Sequence, residues 1–256
     1  MKLHYREIGH GQPLLILHGL FGTSDNWQTL ARRLSENYHV ILVDLRNHGR
    51  SPHSDQHDYD VMAADVLQLV DALQIPTPAI MGHSMGGKVA MNYALKYPTR
   101  LTKLIVVDIA PKAYPPHHDE IIDALQSVDL STVTSRNEVD AQLAKTIKEE
   151  DVRLFLMKNL YRKEDNTFGW RMNLDALERN YDKIAAAITS DIPFKKHTLF
   201  IKGGRSRYIK PEDIYSCIEH LFTLVEVETV PGAGHWVHAE APDKVYELVT
   251  TFLSAE

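Results

Sequence analysis

The stretch Ala79-Ile80-Met81-Gly82-His83-Ser84-Met85-Gly86-Gly87-Lys88-Val89-Ala90 decides how the chain is read. It is a short apolar strand, a glycine-punctuated tight turn and the first turn of a helix. Ser84 stands at the tip. Only small flanking residues tolerate such a strained corner, because the strand and helix backbones pass close beside it, and Gly82 and Gly86 supply that room. The following helix aims its first N–H groups toward the hydroxyl, a favourable place for negative charge to develop. This G-x-S-x-G pattern also occurs by chance in glycine-containing βα turns, so the flanking sequence has to decide.

Working toward the N-terminus, Tyr59 to Leu73 places Met62, Val66, Leu69, Val70 and Leu73 at helical spacing. Val40-Ile41-Leu42-Val43 and Leu14-Leu15-Ile16-Leu17 are continuous apolar runs, the pattern of strands covered on both faces of a parallel sheet. Each run ends on polar punctuation. The first leads to His18-Gly19-Leu20-Phe21-Gly22, the second to Asp44-Leu45-Arg46-Asn47-His48-Gly49-Arg50-Ser51. Between them, Ser24 or Asp25 is placed to cap a helix carrying Trp27, Leu30, Ala31 and Leu34. The N-terminal segment Met1–Glu7 alternates like an edge strand.

Toward the C-terminus, the helix after Ser84 presents Val89, Ala90, Tyr93, Ala94 and Tyr97 on one face and stops before Pro98. Leu104-Ile105-Val106-Val107 is another buried strand, ending on Asp108. From Pro111 the pattern changes to mostly polar helical stretches, with no strand expected until Thr198-Leu199-Phe200-Ile201. Residues 111–191 are therefore read as a helical cap inserted into a core of residues 1–110 and 192–256. Leu154, Phe155, Met157, Leu160, Tyr161, Phe168 and Trp170 either cover a pocket or simply pack. A helix from Pro211, an edge strand over Val225–Val230, the loop Pro231-Gly232-Ala233-Gly234-His235-Trp236-Val237-His238 and a last helix from Pro242 complete the chain.

The 256 residues are 44% hydrophobic, enough for one sizeable core. A formal net charge of −6 without a basic run disfavours nucleic acid. The first residues lack the apolar core of a signal peptide and no apolar run reaches membrane-span length, so a soluble, cytoplasmic protein is expected. The single cysteine, Cys217, excludes an internal disulfide and sits at helical spacing with Ile214, Ile218 and Leu221, which points to packing. His53, His57, His117, His118 and His238 show no metal-ligand spacing and read as solvated or capping residues. Asp44–Ser51 lacks a phosphate-cradling glycine pattern. No metal or other cofactor is implied.

In an open parallel sheet the loops after strand ends converge on one crevice. His18, Asp44, Ser84, Asp108, Gly203 and His235 all lie in such loops. A serine hydroxyl is a weak nucleophile until a base takes its proton; an imidazole suits both the uptake and the return of that proton, and an acid orients the imidazole. The order Ser84, Asp108, His235 fits.

On His18–Gly22, Asp44–Ser51, Gly82–Gly87, Val107-Asp108-Ile109-Ala110-Pro111 and Gly234–Glu240, nearly the whole chain resembles the α/β-hydrolase superfamily, specifically its small bacterial carboxylesterases and acyl-CoA thioesterases. The resemblance implies an α/β fold, a mostly parallel sheet with helices on both faces and an inserted helical cap. It also implies Ser84 as nucleophile, His235 as base, main-chain N–H groups of Leu20 and Met85 as oxyanion donors, and Phe21, His83 and Trp236 beside the substrate. His18 is expected to buttress its loop. The acid departs from the common pattern. The loop after Ile201 reads Gly203-Gly204-Arg205-Ser206-Arg207 without a carboxylate, leaving Asp108 as the first choice, Asp213 and Asp175 as alternatives, and Ser206 as a hydrogen-bonding neighbour of the Asp108–His235 pair. The expected activity is hydrolysis of short- to medium-chain small-molecule esters, with acyl-CoA thioesters as a variant for which Arg205, Arg207 and Lys210 would supply positive surface. Carbon–carbon bond hydrolysis or cofactor-free perhydrolysis on the same residues, and a non-catalytic binding protein, are the rivals.

Overall fold

The apolar runs become strands of one twisted sheet. In this computed structural model, which describes residues 1–115 and 119–255, the strands are β1 (Tyr5–Ile8), β2 (Gln12–Leu17), β3 (Tyr38–Val43), β4 (Ala79–His83), β5 (Leu104–Val107), β6 (Leu160–Arg162), β7 (Phe168–Trp170), β8 (Phe194–Gly203) and β9 (Phe222–Val230). Seven of them form a sheet in the order β1-β3-β2-β4-β5-β8-β9, parallel throughout except for the antiparallel edge pair β1–β3. His117 and His118 lie outside the described residues.

Alternate residues of each strand feed two cores. Leu15, Leu17, Ile41, Val43, Ile80, Leu104, Val106 and Phe200 face one way, against α2 (Tyr59–Ala72) and α3 (Met85–Lys96). Leu14, Ile16, Val40, Leu42, Met81, Ile105, Val107, Leu199 and Ile201 face the other way, against α1 (Gln28–Leu34) and the final helix Pro242–Ser254. This two-sided burial explains why the inner strands β2, β3, β4 and β5 carry no polar alternation, and it stacks their carboxyl ends along one edge.

Two local expectations are corrected. The turn Ser24–Trp27 before α1 is capped by Thr23, whose hydroxyl accepts from Asp25 N–H while Asn26 reciprocates to the Thr23 N–H at 2.6 Å. Ser24 and Asp25 are occupied elsewhere: the Ser24 N–H donates to Asp44 at 2.7 Å, and Asp25 pairs with Arg6 at 2.7 Å. The segment between β5 and β8 is also not purely helical, because β6 and β7 form an antiparallel hairpin. Asn166 at φ 68° makes its turn and Asp165 binds both the N–H and the hydroxyl of Thr167. Arg162 lies over the Phe168 ring and Arg171 over Tyr161, so exposed cations disguised a pattern of cross-strand packing. Strand β8 begins at Phe194, four residues before the expected start, with a register shift between Phe194 and His197.

Cys217 is half-buried in a single π-turn (Ile214–Ile218) and its thiol donates to the Asp213 carbonyl at 3.1 Å, a packing position.

Candidate active site

Ser84 links β4 to α3 with φ 52° and ψ −121°, a conformation that a side-chain-bearing residue adopts only when its surroundings impose it. They do so here. A Cβ at position 82 would lie 2.1 Å from the Gly86 carbonyl oxygen, and one at position 86 would lie 2.4 Å from that of His18. Ser84 N–H donates to the Val107 carbonyl at 3.0 Å, tying the corner to the end of the neighbouring strand.

Asp108 ends that strand, also at positive φ (51°), and is fully buried. Its carboxylate accepts from the Gly203 N–H at 2.9 Å, from the Ser206 hydroxyl and from His235 Nδ1 at 2.7 Å. Three donors on a buried carboxylate satisfy the polar atoms that would otherwise be stranded away from water. Ser206 thus stands beside the Asp108–His235 pair, as the sequence reading placed it, and its hydroxyl completes the shell of Asp108 from the loop that lacks a carboxylate. With Nδ1 committed to Asp108, Nε2 is the ring nitrogen left for another partner, and the ring lines the same cavity as Ser84. The His235 ring stacks on Tyr208 (centroids 3.9 Å apart, planes 19°), and its carbonyl is the partner of His83 Nε2 at 2.9 Å, so both ring and backbone are held. The alternatives to Asp108 are elsewhere. Asp213 is paired with Lys112 at 2.5 Å and also accepts from the Lys210 N–H, while Asp175 is an exposed residue in the first turn of Leu174–Arg179.

The loop after β2 is gripped at several points. Leu45 N–H donates to His18 Nε2 at 3.0 Å, which leaves His18 Nδ1–H to donate to the Gly19 carbonyl at 2.8 Å. Phe21 sits at φ 59°, its N–H on His48 Nε2 at 3.2 Å and its carbonyl on the Asn159 amide at 2.7 Å. His18 buttresses the loop as expected; His48 and Asn159 were not foreseen, and the only sequence signal for the former was its place in the Asp44–Ser51 loop. No hydrogen bond among the described residues engages the N–H of Leu20 or of Met85. A cavity of ≈ 210 Å³ opens here, lined by Leu20, Phe21, His83, Ser84, His235 and Trp236 on the sheet side. Of the aromatic and aliphatic residues singled out in the inserted segment, only Phe155 reaches it, its ring tilted against Trp236 (centroids 5.7 Å apart, planes 45°); Met157, Leu160 and Phe168 are core, and Leu154 is exposed.

Two histidines expected at the surface are buried instead. His57 lies against His48, and His238 stacks on Trp27 (4.0 Å, 11°), because each flat ring fills an aromatic gap. Burial holds the imidazoles of His18, His48 and His83 below their ordinary value and pushes those of His57 and His238 down to about 3. None of these five is protonated in the fold at neutral pH. Unfolding restores the ordinary value near 6.5, so below about pH 6.5 the unfolded chain binds more protons and stability falls as pH falls, by up to ~1.4 kcal/mol per pH unit for each histidine; for His57 and His238 that window runs down to about pH 3. The thermal midpoint is therefore expected to drop steeply from pH 7 to pH 5; a flat profile would contradict the buried neutral rings.

These features agree with the relatives of the chain. Residues 12–146 match the family described as alpha/beta hydrolase fold. The chain belongs to the α/β hydrolases. It is 40% identical over 253 residues to the sn-1-specific diacylglycerol lipase ABHD11 of Xenopus laevis, covering 96% of this chain and 80% of that protein. It is 37% identical to Esterase YbfF of Escherichia coli, covering 99% and 100% of the two chains. A solved marine microorganism esterase superposes with a TM-score of 0.96 at 42% identity, covering 98% and 99%. This α/β hydrolase is of the esterase/lipase type, and among its described residues no helix is long and apolar enough to cross a membrane.

Proposed function

We propose that this α/β hydrolase is a serine carboxylesterase acting on short- to medium-chain esters through an acyl-enzyme. The observation that carries the reading is the 2.7 Å contact between His235 Nδ1 and buried Asp108, with Ser84 on a strained corner in the wall of the same cavity. His235 Nε2 takes the Ser84 proton as Oγ attacks the ester carbonyl. The oxygen that becomes negative is received by the N–H groups of Leu20 and Met85, each such donor being worth roughly 10²–10³ in rate. Collapse expels the alkoxide, which leaves as alcohol with the proton from His235. Water then attacks the acyl-enzyme by the same route, returning the proton to Ser84 and releasing the carboxylic acid. Asp108 holds His235 in the tautomer with Nε2 open and stabilises its cation. Residues 111–191 act as the cap that narrows the cavity.

Esters are preferred over CoA thioesters because none of Arg205, Arg207 and Lys210 lines the cavity, and Arg205 is already paired with Glu240 at 2.9 Å. The buried Asp108 carboxylate, held by Gly203, Ser206 and His235, argues against a non-catalytic role. A panel of p-nitrophenyl esters, acyl-CoA thioesters and vinylogous diketones tests the reading. Ester turnover is expected to dominate; turnover of the diketones alone would replace it with carbon–carbon hydrolysis.

The Ser206 hydroxyl acts through Asp108, so Ser206→Ala is expected to lower kcat about tenfold, the size of one lost hydrogen bond to a charged group. KM should stay near its original value. An unchanged kcat and pH–rate profile would show that Ser206 only fills space.

A further inference from the structure

Ser84 lies in the wall between two compartments of very different size. The larger, ≈ 210 Å³, contains His235, His83, Trp236 and Phe155. The smaller, ≈ 40 Å³, lies on the other side and is lined by Met85, Lys88, Tyr59, Ile109, Tyr114 and Ile184. Leu20 belongs to both walls, whereas His235 belongs to the larger compartment and not to the smaller. Chemistry assigns the two. The leaving oxygen must receive a proton from His235, so the alcohol part of the substrate occupies the compartment that contains it. The acyl chain then extends to the opposite side of the scissile carbonyl.

We infer that the compartment bounded by Lys88, Tyr114 and Ile184 is a short acyl pocket, making this protein selective for small acyl groups on large, apolar alcohols. The inference rests on the serine-esterase reading above and adds which end of the ester is restricted. A volume of ≈ 40 Å³ holds about three water-sized groups, which limits the acyl chain to about two to four carbons. The larger compartment holds several times as much.

The small pocket cannot readily yield, because its back wall is stitched together. Lys88 lies one helical turn beyond Ser84, and its ammonium uses all three donors on main-chain carbonyls: Lys112 at 2.8 Å, Ala186 at 2.6 Å and Ala185 at 3.4 Å. The ammonium is thus committed to the chain and closes the pocket as a wall, with no donor left for a substrate carboxylate. The Tyr59 hydroxyl donates to the Ile184 carbonyl at 2.6 Å, and the Tyr114 N–H donates to that of Ala185 at 2.9 Å. Moving this wall to admit a longer chain would break these bonds together, and forcing extra methylenes into packed space is itself costly.

The test uses the intact protein and two mirror series: p-nitrophenyl esters of increasing acyl length, and acetate esters of increasing alcohol length. In the first, kcat/KM is expected to peak at acetyl to butyryl and to fall at least about tenfold by octanoyl, as expected when methylenes no longer fit. In the second it should hold or rise with alcohol length. Ile184→Ala should move the acyl optimum to longer chains, and Ala185→Val should remove butyryl while sparing acetyl, so the pair remains decisive if either variant fails to fold. Phe155→Ala should change the alcohol series and leave the acyl optimum in place. An optimum at octanoyl or beyond that neither pocket variant moves would overturn the acyl-pocket assignment while leaving the esterase reading intact. Absence of ester hydrolysis in either series would instead remove the esterase reading itself.

Discussion

Ser84→Ala is expected to reduce ester hydrolysis by roughly a millionfold, the loss seen when the nucleophile of such a machine is removed alone. The size follows from the division of labour. In the proposed mechanism His235 and Asp108 have no function in acyl transfer without an oxygen to deprotonate, so losing the hydroxyl forfeits their contribution as well. What survives is substrate binding and the two main-chain N–H donors of Leu20 and Met85. The fold should be indifferent, since no hydrogen bond among the described residues uses the Ser84 hydroxyl, and the corner is set by Gly82, Gly86 and the Ser84 N–H bond to Val107. Residual activity within about tenfold of the parent would mean that another group attacks the ester.

Asp108→Asn is expected to cost about 10⁴ in kcat while leaving substrate binding nearly unchanged. An asparagine fits the space and keeps an acceptor for the Gly203 N–H, which donates to Oδ1 at 2.9 Å. Its amide would then present N–H groups to His235 Nδ1, which turns that nitrogen into an acceptor and puts the proton on Nε2, the nitrogen that must receive the proton from Ser84. The defect is therefore one of tautomer rather than position. Asp213→Asn and Asp175→Asn serve as controls, because the first carboxylate is spent on Lys112 and the second is exposed in its helix. Steady-state kinetics of the three variants decides the assignment: a collapse at position 213 or 175 with a near-normal Asp108→Asn would reverse it.

Much of this arrangement is legible in the sequence. The strands β2, β3, β4 and β5 announced themselves as uninterrupted apolar runs because both faces of the sheet are covered, and a parallel sheet necessarily gathers the residues that follow those runs. That is why Ser84, Asp108 and His235, separated by up to 151 positions in sequence, could be grouped in advance. The turn geometry of Ser84 was written in its two glycines. Ser206 was readable only as a departure, a hydroxyl where a carboxylate was expected, and its bond to Asp108 gives that departure a physical sense.

What escaped the sequence depends on contacts between distant polar residues, which leave no periodicity. The bond from Asn159 to the Phe21 carbonyl spans 138 positions, and that from Phe21 to His48 spans 27; together they set the loop that carries the Leu20 N–H. Lys88 reads as an ordinary polar residue on a helix, yet it is 1% exposed and ties both ends of the inserted segment to α3. The β6–β7 hairpin was hidden because its strands are three residues long, and cations that lie over aromatic rings look like solvated surface. His57 and His238 misled for the opposite reason: a neutral imidazole packs like any flat ring, so composition alone cannot tell a buried one from a hydrated one.

The most direct measurement is active-site labelling with an alkyl fluorophosphonate, followed by peptide mass mapping and assay of the labelled protein. Attack of an activated serine on phosphorus with loss of fluoride should leave one phosphonyl adduct, on Ser84, and ester hydrolysis should disappear in proportion to labelling. Folded protein that stays unlabelled, or is labelled elsewhere, while continuing to cleave esters would contradict a Ser84 acyl-enzyme.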